Sequence, residues 1–189
     1  MPSVACGIRS IRLIAVSAAW FLSAQDHSSQ KMADGREWTT QNLNVTSVRS
    51  YCYEDSEQNC AKYGRLYTWE SASKACPALG DRWRLPTEDE WRQMAKHFGG
   101  FHEDSEDGGK AAYHALLMGG GSGFGALLGG GRSEDGQYTR LGAHGFYWTA
   151  SESDSARAYY YNFGRGSLTL YRQTDGEKVR AFSVRCVRD

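Results

Sequence analysis

The 189-residue sequence has only 3 prolines and no formal net charge, and its apolar runs are too short to cross a bilayer as a helix. Lys and Arg number 22, as do Asp and Glu, so the basic excess that grips a nucleic-acid backbone is missing. With so little proline, the 22 glycines do not belong to a disordered Pro/Gly tract and mark turns or close approaches of the backbone. Paired CxxC knuckles, zinc-protease histidine spacing and a Gly-x-Ser-x-Gly elbow are all absent. The glycine clusters at Gly119–Gly125 and Gly129–Arg132 lack the Lys-Ser/Thr of a phosphate loop and read as an ordered irregular loop. His102-Glu-Asp-Ser-Glu-Asp107 lacks the alternate-residue spacing of a calcium loop and reads as a solvated acidic segment. The readily recognised catalytic and metal classes therefore drop out: no catalytic residue, metal ligand or cofactor is assigned.

Export is the first positive signal. Arg9 and Arg12 precede the 12-residue apolar run Leu13–Ala24, after which the chain turns polar. A basic start, a short apolar stretch and a small residue at its end read as a secretory signal peptide over residues 1–24. Residues 25–35 read as a flexible polar leader and residues 36–189 as one domain. Removing residues 1–24 also removes Cys6 and leaves Cys52, Cys60, Cys76 and Cys186. An even number of cysteines in an exported chain argues for disulfides. Cys52 and Cys60 flank a polar loop that can close on itself, which leaves Cys76 to pair with Cys186.

Aromatic residues are abundant, with 6 Trp, 11 Tyr and 7 Phe. A first helix is expected after Thr68, with Trp69, Ala72, Ser73 and Cys76 on one face, ending at Pro77 and Gly80. A second follows the capping box Thr87-Glu-Asp-Glu90, with Trp91, Met94, Ala95 and Phe98 on its apolar stripe. A short third helix fits Lys110–Met118. Arg36–Leu43 reads as a first strand. The aromatic block Gly145–Glu152 opens a run of strands, and Ala156–Phe163, Gly164-Arg-Gly166 and Ser167–Tyr171 read as strand, tight turn and strand. In the closing Phe182-Ser-Val-Arg-Cys-Val-Arg-Asp189, alternation puts Phe182, Val184 and Cys186 on one side and Ser183, Arg185 and Val187 on the other.

Gly64-Arg-Leu-Tyr-Thr-Trp69, Ala75-Cys-Pro77, Trp83-Arg-Leu-Pro-Thr87, Glu90-Trp91, Gly123-Phe-Gly-Ala126, Gly129-Gly-Gly-Arg132, Tyr147-Trp-Thr-Ala-Ser-Glu152 and the closing strand occur in an order that resembles the Fibrobacter succinogenes major paralogous domain, a bacterial exported domain. It is similar in turn to the C-type-lectin-like fold of formylglycine-generating-enzyme relatives and of the variable proteins of diversity-generating retroelements. The resemblance spans roughly residues 36–189. It implies an α+β fold in which two main helices pack on small twisted antiparallel sheets with long Gly-rich loops. It also places residues 151–181 where the retroelement-diversified proteins vary.

Formylglycine-generating oxidases, relatives in fold, use a close cysteine pair for copper and substrate, whereas Cys186 stands alone in the last hundred residues here. Calcium-dependent lectins use a proline-centred tripeptide, and prolines 2, 77 and 86 lie in no such context. Binding remains. Tyrosine offers large contact area at low entropic cost, so a hairpin rich in it suits recognition. If Tyr160, Phe163 and Leu170 point inward, Tyr159, Tyr161 and Tyr171 point outward. The candidate ligand face is therefore Ser151, Glu152, Asp154, Arg157, Tyr159, Tyr161, Asn162, Arg165, Tyr171 and Gln173. The expected protein is a non-catalytic, secreted, periplasmic or cell-surface binding module. Its partner would be an unidentified protein or glycan at a cell surface, with no nucleic acid and no membrane contact beyond export. The alternatives are a degenerate enzyme of the formylglycine-generating type and a structural envelope protein.

Overall fold

The computed structural model describes residues 27–189, and the signal-peptide expectation for residues 1–24 lies outside them. The described segment opens with a hairpin. Strand β1 (Ser29–Lys31) pairs antiparallel with β2 (Glu37–Thr39), and β2 pairs on its other side with β11 (Val187–Arg188). The leader expected at 25–35 is thus largely part of the domain. Its Ala33-Asp34-Gly35 turn is fixed by Gly35 at φ 83° and by the Asp34 carboxylate, which accepts from the Arg36 N–H at 3.1 Å and from the Trp38 indole at 2.9 Å. The apolar Met32 beside the turn is buried in the core.

Five short strands make a second sheet. Its order is β3 (Ser50–Tyr51), β4 (Leu66–Thr68), β10 (Ala181–Phe182), β5 (Gly131–Arg132) and β6 (Tyr138–Thr139). The third sheet is a meander of β7 (His144–Glu152), β8 (Arg157–Gly164) and β9 (Thr169–Glu177). Four α-helices complete the α+β domain: α1 (Glu57–Tyr63), α2 (Trp69–Ala75), α3 (Glu88–Lys96) and α4 (Lys110–Leu116). Helix α1 begins inside the stretch between Cys52 and Cys60 expected to be a polar loop and runs on past Cys60. The bonds Cys52–Cys60 and Cys76–Cys186 both close, so one staples α1 to the segment before it and the other ties the end of α2 to the closing segment.

Helix α3 shows how local sequence sets the element. The Thr87 hydroxyl accepts from the Glu90 N–H at 3.2 Å while the Glu90 carboxylate accepts from the Thr87 N–H at 2.8 Å. This reciprocal pair satisfies two N–H groups that the first turn leaves free. Trp91, Met94 and Ala95 are then buried on one stripe. Trp91 stacks on Tyr161 with centroids 5.1 Å apart and meets Trp38 and Phe124 edge-on. Removing a Trp side chain from water contributes on the order of 5 kcal/mol, from roughly 200 Å² at ~25 cal/mol per Å².

The meander is covered on both faces. Tyr147, Tyr161, Phe163 and Leu170 belong to the cluster with Trp91 and Tyr113, while Trp148 belongs to a second cluster with Phe182, Val184 and Cys186. The closing segment runs between the two clusters. Its alternation holds, yet neither side meets solvent: Ser183 and Arg185 are as buried as Phe182 and Cys186. Between β10 and β11 the chain is extended without forming a ladder strand. Arg185 lies in its middle, donating to the carbonyls of Thr39 (2.8 Å), Phe124 (2.7 Å) and Gly125 (2.6 Å) and to Asn42 Oδ1 (2.8 Å). The glycine-rich stretch at 119–125 therefore supplies carbonyl acceptors for a buried guanidinium.

Candidate functional site

A cleft of about 350 Å³ opens where the meander meets the edge of the five-stranded sheet. It is lined by Arg132 and Thr139 of the β5–β6 hairpin, Arg140 just beyond it, Phe146 of β7, Tyr160 of β8, and Arg180 and Phe182 around the start of β10. Phe146, Trp148 and Tyr160 share one face of the meander because Trp148 pairs with Tyr160 and Phe146 lies two residues before Trp148. Phe182 reaches that face from the neighbouring sheet. Its ring centroid is 5.0 Å from Phe146, 5.0 Å from Tyr160 and 4.4 Å from Trp148. Gly131 is needed where the sheets meet, since a Cβ there would sit 3.1 Å from both the Phe146 and Phe182 rings.

Three arginines surround this aromatic floor, each held differently. The Arg132 guanidinium stacks 4.1 Å over the Tyr51 ring and 5.6 Å over Tyr138, and its Nε is buried without a hydrogen-bond partner. Arg180 Nε donates to Glu177 at 2.7 Å across an exposed pair. Arg140 is exposed and makes no side-chain hydrogen bond or ion pair with any described residue; its backbone has φ 69°, the left-handed region. Burial raises the pKa of the Tyr160 hydroxyl, and the hydrogen bond it donates to Asp175 at 3.3 Å acts in the same direction. Burial also pushes Tyr138 up to about 12, reinforced by its 2.6 Å bond to Asp55.

The residues expected to form a ligand face are not gathered in one place. Ser151 accepts from the Glu88 N–H at 3.0 Å, and Glu152 pairs with Lys178 at 2.8 Å. Asp154 caps the β7–β8 turn by accepting from the Ala156 and Arg157 N–H groups, with the Arg157 guanidinium 3.7 Å away. Tyr159 is half-buried beneath the Arg172 guanidinium at 4.7 Å, and Arg172 in turn donates to Glu88 at 2.6 Å. Asn162 bonds His144 at 2.9 Å, Tyr171 packs against His102 at 5.0 Å, and Gln173 lies opposite Tyr160 across the ladder. Arg165 is exposed and donates to the Gly142 carbonyl at 3.3 Å.

Tyr161 is a correction. It points inward, fully buried against Trp91, because Tyr161 and Phe163 share the face that α3 and α4 cover, and Tyr160 turns to the cleft instead. Of the stretch 151–175, only Tyr160 lines the cleft. Apart from Phe146 on β7, the other lining residues lie on two-residue strands or in turns, and their signal, Arg132, Arg140 and Arg180 near aromatics, is scattered along the chain.

The acidic loop does not converge on a cation site. Asp104 accepts from the Phe101 N–H, and Asp107 accepts from the N–H groups of Gly109, Lys110 and Ala111 at the start of α4. Among the described residues, the one His/Cys/Asp/Glu group with donors close enough for a metal is Cys52, Glu57 and Cys60, and its two sulfurs are bonded to each other.

No curated protein and no solved structure matches the chain. The family model of the Fibrobacter succinogenes major domain matches residues 20–188, and the chain belongs to that family.

Proposed function

We propose that this member of the Fibrobacter succinogenes major domain family is an exported, non-catalytic binding module of C-type-lectin-like fold whose ligand sits in the cleft between the two larger sheets. The observation that carries the reading is the cleft itself: an aromatic floor of Phe146, Tyr160 and Phe182 ringed by Arg132, Arg140 and Arg180. Such a concave, largely apolar site with a few polar groups is the usual form of a small-ligand pocket. Export is supported by the two disulfides, which persist in oxidising compartments. The lectin-like fold is supported by β2 and β11 lying side by side and by small antiparallel sheets combined with short helices. All four cysteines of the described residues are paired, so the thiol chemistry of a formylglycine-generating oxidase has no free thiol among them.

The test is an array of glycans, peptides and small acids probed with the disulfide-bonded protein and with Arg140→Ser and Arg180→Ser variants. Saturable binding that both substitutions weaken is expected. If every array ligand binds the variants as tightly as the wild type, the cleft is not the site.

A further inference from the structure

Resting on that reading of the cleft, we propose that its ligand is a singly charged anion with a planar apolar body, in its simplest form an aromatic carboxylate. Among the lining side chains, hydrogen-bond donors greatly outnumber acceptors. Three guanidinium groups line it, and no carboxylate or amide side chain does. The single carboxylate paired to any of the three is Glu177, on Arg180, and both members of that pair are substantially exposed. Arg132 stacks on rings instead of pairing, and its buried Nε has no acceptor. A neutral sugar needs acceptors for its hydroxyl hydrogens. As side-chain acceptors the lining offers only the hydroxyls of Ser133, Thr139 and Tyr160, against three guanidinium groups that can only donate. A carboxylate makes the opposite demand, and arginine meets it in bidentate fashion.

Arg140 adds an independent observation. A non-glycine residue at φ 69° is in the left-handed region that its Cβ disfavours, and no hydrogen bond or ion pair of its side chain within the described residues offsets that strain. Such strain is commonly kept where it places a functional side chain. The apolar body is set by the floor, where the Phe146, Tyr160 and Phe182 centroids are 5.0–6.0 Å apart. The charge is limited to one by the neighbouring surface. Glu134, Asp135 and Glu177 surround the adjoining depression beside Ser133 and Arg180 and would repel a polyanion extending that way.

The experiment is calorimetric titration at low salt with phenylacetate, with its neutral isostere phenylacetamide, and with a short peptide ending in phenylalanine as the free acid or the amide. Phenylacetate is expected to bind at least about tenfold more tightly than phenylacetamide, and Arg140→Gln to weaken it about tenfold without moving the melting temperature. The two sources of the same chemistry separate by comparison: a free-acid peptide binding tighter than phenylacetate identifies a chain terminus, and equal affinity identifies a small acid. Equal binding of acid and amide, or phenylacetate binding untouched by both Arg140→Gln and Arg180→Gln, overturns the anionic ligand while leaving the binding module standing. The same holds if none of these probes binds but a neutral array ligand does so through the cleft. If nothing binds there in either experiment, both readings fall.

Discussion

The Arg185 guanidinium donates to the Phe124 backbone carbonyl at 2.7 Å and lies 4.6 Å over the ring of the same residue. Arg185 is fully buried, and its partners are three carbonyls and one amide oxygen; no carboxylate is among them. Burial lowers its pKa, as expected for a cation taken out of water. The charge is tolerated because the acceptors satisfy its N–H groups, and the same acceptors are orphaned if it is removed. Arg185→Met keeps much of the volume and should still cost about 3–5 kcal/mol of unfolding free energy. Urea melts of the disulfide-bonded protein check this, and a variant as stable as wild type would show that the carbonyls find other donors.

Tyr161 behaves in the opposite way. Its ring is anchored on Trp91, but its hydroxyl is buried with no hydrogen-bond partner. Tyr161→Phe removes an unsatisfied group and should be neutral or stabilising by up to ~1 kcal/mol, whereas Tyr161→Ser removes the ring and should cost ~3–5 kcal/mol. Denaturation midpoints of the two variants separate the ring's contribution from the hydroxyl's. A loss of more than 1 kcal/mol in Tyr161→Phe would mean that a buried water serves the hydroxyl.

Acid should loosen the junction between the start of α3 and the end of the chain. Burial raises the Glu90 pKa, but hydrogen bonds from Arg84 at 2.7 Å and from the Thr87 N–H outweigh it, so the carboxyl titrates below its ordinary 4.5. The Arg188 hydrogen bond holds Glu37 below 4.5 as well. A depressed folded-state pKa gives stability that is present above the unfolded value and lost as pH falls through the folded one. The urea midpoint should therefore be flat from pH 7 to about pH 5 and decline below pH 4.5. In Glu90→Gln the midpoint should be lower at pH 7 and its acid decline shallower. An unchanged acid limb would place the responsible carboxylates elsewhere.

The two disulfides should differ in worth. The Cys76–Cys186 bond closes a separation of 110 residues and the Cys52–Cys60 bond one of 8. In the chain-entropy account this corresponds to ~5 and ~2.5 kcal/mol respectively. Replacing both cysteines of the longer bridge by serine should lower stability by about 2 kcal/mol more than the same change at the shorter one. Equal losses in paired melts would show that native contacts, and not loop entropy, set the difference.

Local chemistry sufficed where an element is decided by neighbours in the chain. The capping box and apolar stripe of α3, the aromatic strand β7 and the hairpin after it, and the Cys52–Cys60 bond follow from short spacings, because caps, turns and side-chain periods act over a few residues; Cys76–Cys186, 110 residues apart, followed only as the pair left over. Tertiary structure decided the rest. Alternation alone named two faces for Tyr160 and Tyr161 but not which one meets solvent; α3 and α4 cover one and Phe182 crosses to the other, so the outward tyrosine became the buried one. The same held for Arg185, whose sequence context is a strand residue and whose burial depends on carbonyls some 60 and 146 residues away. The cleft belongs to this second class. Arg132, Arg140, Phe146, Tyr160, Arg180 and Phe182 become neighbours because β10 runs beside β5 while Phe182 packs on Phe146 and Tyr160 of the meander, and a pairing between two-residue strands is one that no local period can specify.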